Sequence, residues 1–312
     1  MAQKVVYDKV GGADELRLID YIPTQPGARE VRVAVRAAGV NPVDWKIRSG
    51  AFGPGAGTDR TIGFDAAGTI EAVGADVTAW QEGDNVILAD IVDAYSSNVV
   101  TSEDHLLPIP TPLSFDEAAA IGVPAGTAYQ AVRSLRVSAG DVLLVHGGAG
   151  AVGQAAIQFA RRAGATVIAT ASPQNHERLT ELGAIPVAYG DGLTARLRTT
   201  AGVVTAALDA AGSDEAIEAS LELVADRSRI GTIVRGADAS TFGIRAWSGG
   251  SPQPLTNEEL QLRRDGIGEA ARLAAAGEFD IEIAARFPLG DAAAAHTLGE
   301  SGLVRGKIVL LP

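Results

Sequence analysis

The sequence predicts an α/β protein of two domains, a β-rich unit and a doubly wound parallel sheet, and three observations carry that reading. The chain has 312 residues, 46% of them hydrophobic, which suits two cores better than one. Its first third alternates apolar and polar residues between Gly and Pro, the period of half-buried antiparallel strands. From about residue 141 the texture changes to short continuous apolar runs separated by helical patterns, the sign of buried parallel strands with crossovers.

Val31, Val33, Val35 and Ala37 mark the first clear strand. Runs at 69–73 and 86–89, parted by the turn Glu82-Gly83-Asp84, extend the β-rich unit to about residue 110, where Pro108, Pro110 and Pro112 interrupt regular structure. Ser114-Phe-Asp-Glu117 has the spacing of a capping box: the serine oxygen takes the N3 amide and the glutamate reaches back to the serine amide, so a helix begins at Ser114. The parallel runs lie at 142–145, 166–169, 185–188, 203–208 and 229–234, and five strands joined by four helices suffice for an open doubly wound sheet. A second capping box, Thr256-Asn-Glu-Glu259, with Leu255 and Leu260 placed as a hydrophobic staple, opens a helix that runs to Gly277. A helical stretch at 291–300 precedes a last apolar run at 308–311, which is expected to rejoin the β-rich unit and leave the sheet domain as an insertion. The predicted division is 1–122 with 258–312 for the β-rich domain and 123–257 for the sheet domain.

Charge and composition narrow the chemistry. With 26 basic against 38 acidic residues the net charge is −12, and no block of Lys and Arg stands apart from it, so neither nucleic acid nor a membrane is an expected partner. The absence of Cys removes disulfides, thiolate catalysis and Cys-built zinc sites. The four His, at 105, 146, 176 and 296, show no HxxxH or HxH spacing, so the expected metal content is none. The N-terminus reaches charged and turn residues at once, without an apolar segment of about 20 residues, and a cytoplasmic protein is expected.

The strongest motif is a buried strand, a GxGxxG turn and a helix in succession: Val142-Leu-Leu-Val-His146-Gly-Gly148-Ala149-Gly150-Ala151-Val152-Gly153. In this reading Gly148 permits the tight turn, Gly150 lets the backbone approach a pyrophosphate, and Gly153 lets the helix sit close to the strand. The helix N-terminus then offers unpaired amides and the positive end of its dipole to the phosphates. His146 reads as a packed histidine. An NAD-binding unit usually carries an acid about 20 residues after the glycines, at the end of the second strand. Here that strand runs into Ser172-Pro-Gln-Asn-His176-Glu-Arg178 with no acid at its end. Ser172 can donate to a 2′-phosphate, and His176 and Arg178 either join it there or lie on a solvated helix face. NADPH is therefore the predicted cofactor.

With these motifs in hand, the sequence resembles the medium-chain dehydrogenase/reductase superfamily, specifically its zinc-independent NADPH:quinone oxidoreductase (zeta-crystallin-like) branch. The likeness is carried by Ala38-Gly-Val-Asn41-Pro-Val-Asp44-Trp45-Lys46-Ile-Arg-Ser-Gly50, Ile62-Gly-Phe64-Asp65-Ala-Ala-Gly68, Gly83-Asp-Asn-Val86, the phosphate loop, Leu182-Gly-Ala184 and Arg305-Gly-Lys307-Ile-Val. It implies a GroES-like β-rich catalytic domain beside a Rossmann domain, and a homodimer. The zinc alcohol dehydrogenases of the superfamily have Cys where this chain has Asn41, and Gly-His-Glu where it has Gly63-Phe64-Asp65; their four-Cys zinc lobe is missing too. Without a Lewis acid, a quinone suits such a site, because it accepts hydride to give a resonance-stabilised anion. An enone instead needs its carbonyl polarised and its α-carbon protonated.

The resemblance further implies that Asn41, with Asp44 and Lys46, lies beside the nicotinamide and that Tyr189 and Lys307 reach the cofactor. Tyr189 reads equally as a half-buried residue at the sheet edge. Lys46 stands where quinone reductases often have Tyr, and bonds either the nicotinamide ribose or an enone carbonyl, or is solvated. Asp44 either orients Lys46 or caps the short helix after Asn41-Pro42. Trp45 and Phe64 line an aromatic acceptor slot or are core. The long apolar loop 236–254, with Phe242, Ile244 and Trp247, forms a lid or a dimer contact, with Trp247 toward substrate. The leading expectation is hydride transfer from NADPH to a quinone. The alternatives are an enone or enoyl reductase and a non-catalytic NADPH-binding module.

Overall fold

The computed structural model describes every residue except Pro54, Ala56, Ser248, Gly249, Gly250 and Pro252. The chain divides into two compact units, Met1–Val123 with Ile267–Pro312, and Pro124–Gly266. In chain order the first unit holds β1 (Ala2–Tyr7), β2 (Arg17–Tyr21), β3 (Glu30–Val40), α1 (Pro42–Ser49), β4 (Arg60–Thr61), β5 (Asp65–Val73), β6 (Asn85–Leu88), β7 (Asn98–Ser102) and β8 (Leu106–Pro108). The alternation read in the sequence places Val31, Val33, Val35 and Ala37 on the buried face of β3. That strand is the spine of the unit: it pairs antiparallel with β5 along nearly its whole length and also with β7.

Helix α2 (Phe115–Ser134) begins at the predicted capping box, where the Glu117 carboxylate accepts from the Ser114 amide at 2.9 Å and the Ser114 hydroxyl oxygen accepts from the Glu117 amide at 3.3 Å. It carries the chain into the second unit. There follow β9 (Val142–His146), α3 (Ala151–Arg162), β10 (Thr166–Ala171), α4 (His176–Glu181), β11 (Ile185–Ala188), α5 (Leu193–Ala201), β12 (Ala206–Asp209), α6 (Asp214–Leu223), β13 (Ile230–Thr232), α7 (Ala239–Phe242) and β14 (Arg245–Ala246). Among the described residues, six strands form one parallel sheet in the order β11-β10-β9-β12-β13-β14. The chain leaves β9 toward β10 and returns to β12 on its other side, so the topological switch lies at β9, where open parallel sheets place ligands outside their carboxyl ends. Leu144, Ile168, Ala207, Ile217 and Ile230 fill the core beneath it.

The loop expected at 236–254 is corrected for its described part. Residues 239–242 are helical, and Arg245–Ala246 adds a sixth strand parallel to β13. Trp247 is neither lid nor acceptor wall: it is 2% exposed, its indole N–H donates to Glu259 at 2.7 Å, and its ring lies over Gly231, where an added Cβ would stand 2.2 Å from Cζ3. The apolar residues are unusual for a connection because they are core. Residues 248–250 and 252 of that loop lie outside the described residues.

Helix α8 (Asn257–Ala275) starts at its predicted capping box on Thr256 and Glu259 and returns the chain to the first unit. There β15 (Ile283–Pro288), α9 (Ala292–Glu300) and β16 (Lys307–Leu311) complete the architecture, with β16 between β15 and β3. The core of this unit gathers Val33, Leu88, Tyr95, Ile308 and Leu310. Among the described residues no helix is long and apolar enough to cross a membrane.

A buried tryptophan and a lid tryptophan differ in their effect on stability. Trp247→Ala should cost about 3–5 kcal/mol, read as a lower urea midpoint. A lid side chain would leave stability within about 0.5 kcal/mol of the parent.

Candidate active site

Between β9 and α3 the chain makes a turn with almost no side chains. The left-handed residue is Gly147, at φ +75°, and not Gly148 as the spacing suggests. Gly148 is required by packing instead, since a Cβ there would stand 2.7 Å from Cβ of Ala169. Gly150 caps α3, and among the described residues an added Cβ there would meet only the Gly147 carbonyl, at 3.6 Å. Gly153 behaves as expected: an added Cβ would lie 2.3 Å from the Gly147 oxygen and 2.7 Å from the Gly148 Cα. The Gly148 amide is tied to the Thr170 carbonyl at 2.9 Å and the Gly150 amide to Gly147 at 3.2 Å. The amides of Ala149, Ala151, Val152 and Gly153 find no acceptor among the described residues. Unpaired amide donors at a helix N-terminus, beside the positive end of its dipole, have the chemistry that an anion such as a pyrophosphate needs.

His146 supports this turn from below. It is fully buried, with Nδ1 3.3 Å from the Thr170 hydroxyl and Nε2 3.1 Å from that of Ser220, and burial lowers its pKa to about 4. Ser172, just past β10, accepts from the Asn175 side-chain amide at 3.0 Å. His176 donates Nε2–H to the Ala171 carbonyl at 3.3 Å. Arg178 is turned inward, 9% exposed, donating Nε–H to Gln154 Oε1 at 3.0 Å. Tyr189, beyond β11, is exposed.

In the first unit a second polar group is assembled, and it is almost wholly buried. Asn41, at the end of β3, donates its side-chain amide to Asp65 Oδ2 at 2.8 Å, while the Lys307 ammonium donates to the same oxygen at 2.6 Å and also to Asn41 Oδ1. Asp65 Oδ1 accepts from the Val123 amide at 2.7 Å. Lys307, expected to reach the cofactor, directs two of its three N–H donors to Asp65 and Asn41. Asp44 Oδ2 accepts from the Asn41 backbone amide at 2.7 Å, closing the start of α1, and from the Tyr95 hydroxyl at 2.7 Å. Of the two roles considered for Asp44, capping is the one observed.

Behind Tyr95 the donors line up in one direction. Arg48, a donor only, points Nε–H at His296 Nδ1 at 3.3 Å, so the imidazole proton sits on Nε2 and faces the Tyr95 oxygen at 3.1 Å. The Arg48 guanidinium also reaches the Gly11 carbonyl at 2.7 Å and the Glu300 carboxylate. Burial, helped by Arg48, lowers His296 to about 3, and burial raises Tyr95 well above its ordinary value. For Asp44, burial outweighs its two donors and raises the carboxyl to about 7; its Oδ1 has no partner among the described residues.

The remaining candidates divide between packing and exposure. Trp45 lies edge-on to His296, 6.1 Å between ring centres, and packs on Gly299, so its face is core. Phe64 is half-buried in the connection before β5. Lys46 is half-buried on α1, and its ammonium has no partner among the described residues. Sequence reasoning misses Tyr95, His296, Arg48 and Gln154. Their only signal is polarity within apolar runs, which names no partner.

Two families match the chain: the alcohol dehydrogenase GroES-like domain over residues 27–138 and the zinc-binding dehydrogenase over 182–310. The quinone oxidoreductase of Pseudomonas aeruginosa is 35% identical and quinone oxidoreductase 1 of Escherichia coli 30% identical, each comparison covering 100% of both chains. Among solved structures, the Escherichia coli quinone oxidoreductase complexed with NADPH matches with a TM-score of 0.86 at 26% identity, over 99% of this chain and 100% of that one. The CurK enoyl reductase matches at 0.85 and 27% identity over 99% of both. The zinc in the second family's description does not fit the residues present: Lys307 already neutralises Asp65, Asn41 is committed to both, and no described group of three or more His, Cys, Asp or Glu could hold a metal ion.

Gly153→Ala should lower stability by about 1–3 kcal/mol because backbone atoms block its Cβ, whereas Gly150→Ala, whose Cβ is not so blocked, should cost under about 1 kcal/mol in urea unfolding. Asp44 generates a pH signature. Between its ordinary 3.8 and about 7 the folded chain holds a proton that the unfolded chain has lost, so Asp44 makes stability fall as pH rises through that window. The depressed His146 and His296 act oppositely, losing stability as pH falls below 6.5 toward about 4 and about 3. Asp44→Asn removes only the first trend. Its stability relative to the parent should climb from 3.8 to about 7 and level above, measured as urea midpoints against pH; a constant difference would contradict the buried-carboxyl assignment.

Proposed function

The chain belongs to the quinone oxidoreductase family of the medium-chain dehydrogenase/reductase superfamily and is an oxidoreductase; from that premise we propose that it uses NADPH to reduce a quinone without a metal. One observation carries the cofactor part, the set of unpaired amides at Ala149, Ala151, Val152 and Gly153. These amides and the positive end of the α3 dipole bind a pyrophosphate. The solved Escherichia coli relative with NADPH supports the same class of ligand. The preference for NADPH over NADH rests on the end of β10, where Ser172 can donate to a 2′-phosphate and a carboxylate would repel it.

When bound, the reduced nicotinamide supplies the hydride. The protein's own contribution is binding and orientation. In the first unit, buried hydrogen bonds among Asn41, Asp44, Asp65 and Lys307 tie the start of α1 in place. Asp65 is neutralised by an ammonium instead of a metal, which leaves no Lewis acid for a saturated ketone and favours an acceptor that needs none.

A second reading, reduction of an α,β-unsaturated carbonyl compound, is supported by Lys46, whose half-buried ammonium is available to polarise a carbonyl oxygen. The likeness to an enoyl reductase points the same way.

Steady-state oxidation of NADPH with a panel of benzoquinones, naphthoquinones and enones tests both readings. Turnover with quinones that survives Lys46→Ala supports the first, whereas enone turnover lost in that variant supports the second. Ser172→Asp should lower kcat/KM for NADPH by at least about tenfold while sparing NADH. Equal use of both coenzymes by the parent would defeat the NADPH assignment.

A further inference from the structure

Sequence position puts Arg178 at the adenosine 2′-phosphate, yet the fold sends it elsewhere. Its Nε–H donates to Gln154 Oε1 at 3.0 Å, and the Gln154 Nε2–H donates to the Ala149 carbonyl at 3.0 Å. Both side chains are nearly buried, Gln154 at 4% and Arg178 at 9% exposure. An arginine can only donate, so it dictates which end of the Gln154 amide faces it and thereby turns the NH2 end toward Ala149. The backbone of Gln154 is itself held: its amide donates to Gly150 at 2.9 Å, and its carbonyl accepts from the Gln158 side chain at 3.3 Å.

Ala149 lies inside the phosphate turn. Its carbonyl is the acceptor of this relay, and its own amide is one of the unpaired donors. Fixing the carbonyl restricts rotation of the Ala149–Gly150 peptide, and through it the direction of the neighbouring amides. A donor array held in place before an anion arrives loses less entropy on binding than one that must be ordered.

We propose that Arg178 and Gln154 are positioning residues that preset the phosphate turn through the Ala149 carbonyl, so that Arg178 governs affinity for the pyrophosphate common to NADPH and NADH and does not read the 2′-phosphate. This deepens the coenzyme reading above and rests on it.

The test measures affinity by calorimetry on the whole chain with NADPH and NADH, and inhibition by adenosine 2′-monophosphate, which carries the 2′-phosphate without a pyrophosphate. In Arg178→Met and in Gln154→Met, the dissociation constants of both coenzymes should rise by a similar factor, about tenfold, the effect of having to order on binding a turn that the relay no longer holds. Inhibition by adenosine 2′-monophosphate should not move. Two gentler variants guard against misfolding. Arg178→Lys, whose ammonium can still donate to Gln154 Oε1, should recover most of the affinity. Gln154→Glu should stay weak although it pairs with Arg178, because the Ala149 carbonyl then has no donor.

A loss confined to NADPH and shared by adenosine 2′-monophosphate would overturn the proposal and return Arg178 to the 2′-phosphate. Unchanged affinity for both coenzymes in folded variants would overturn it as well. Failure of the unmodified chain to bind either coenzyme would be a different result, defeating the coenzyme reading and this inference with it.

Discussion

The second unit depends on how closely α3 approaches the turn that precedes it. With a side chain at Gly153, the helix or the turn would have to shift, because an added Cβ would lie 2.3 Å from the Gly147 oxygen. With none, its first turn sits against the end of β9 and keeps the amides of Ala151, Val152 and Gly153 without an acceptor among the described residues. His146 and Thr170 brace the turn from the sheet, while Gln154 and Arg178 brace it from the helices. His146, Thr170, Gln154 and Arg178 are all hydrogen-bonded within the protein.

The first unit solves a different problem, that of keeping charges in a core. Asp65 and Lys307 are 2% and 3% exposed, and such a pair seldom adds net stability over an apolar replacement. What it does here is specify position: two oxygens of Asp65 take three donors, and Asn41 is locked between carboxylate and ammonium. The line from Arg48 through His296 and Tyr95 to Asp44 extends the same order to the first turn of α1. A metal would have to displace an internal cation to enter.

Much of this order is legible in the amino-acid sequence. The strand periodicities, both capping boxes and the strand-turn-helix around Gly148 to Gly153 depend on neighbours a few residues apart, and they appear where the pattern puts them. Some side chains find partners that local spacing does not suggest. Arg178, Lys307 and Trp247 invite outward-facing roles because each is a charged or large aromatic residue near a motif or in a long connection. Each has an inward partner that no local spacing reveals.

The sequence by itself therefore determined the fold class, the strand–glycine turn–helix and the helix starts, since backbone sterics, side-chain period and capping act over short stretches of chain. Only the tertiary structure decided that Lys307 neutralises Asp65, 242 residues away, and that Arg48 meets His296 across 248. Burial supplies the reason. Once water is removed, a charged group must find its counterpart wherever the fold brings one, and that choice is made by three-dimensional proximity.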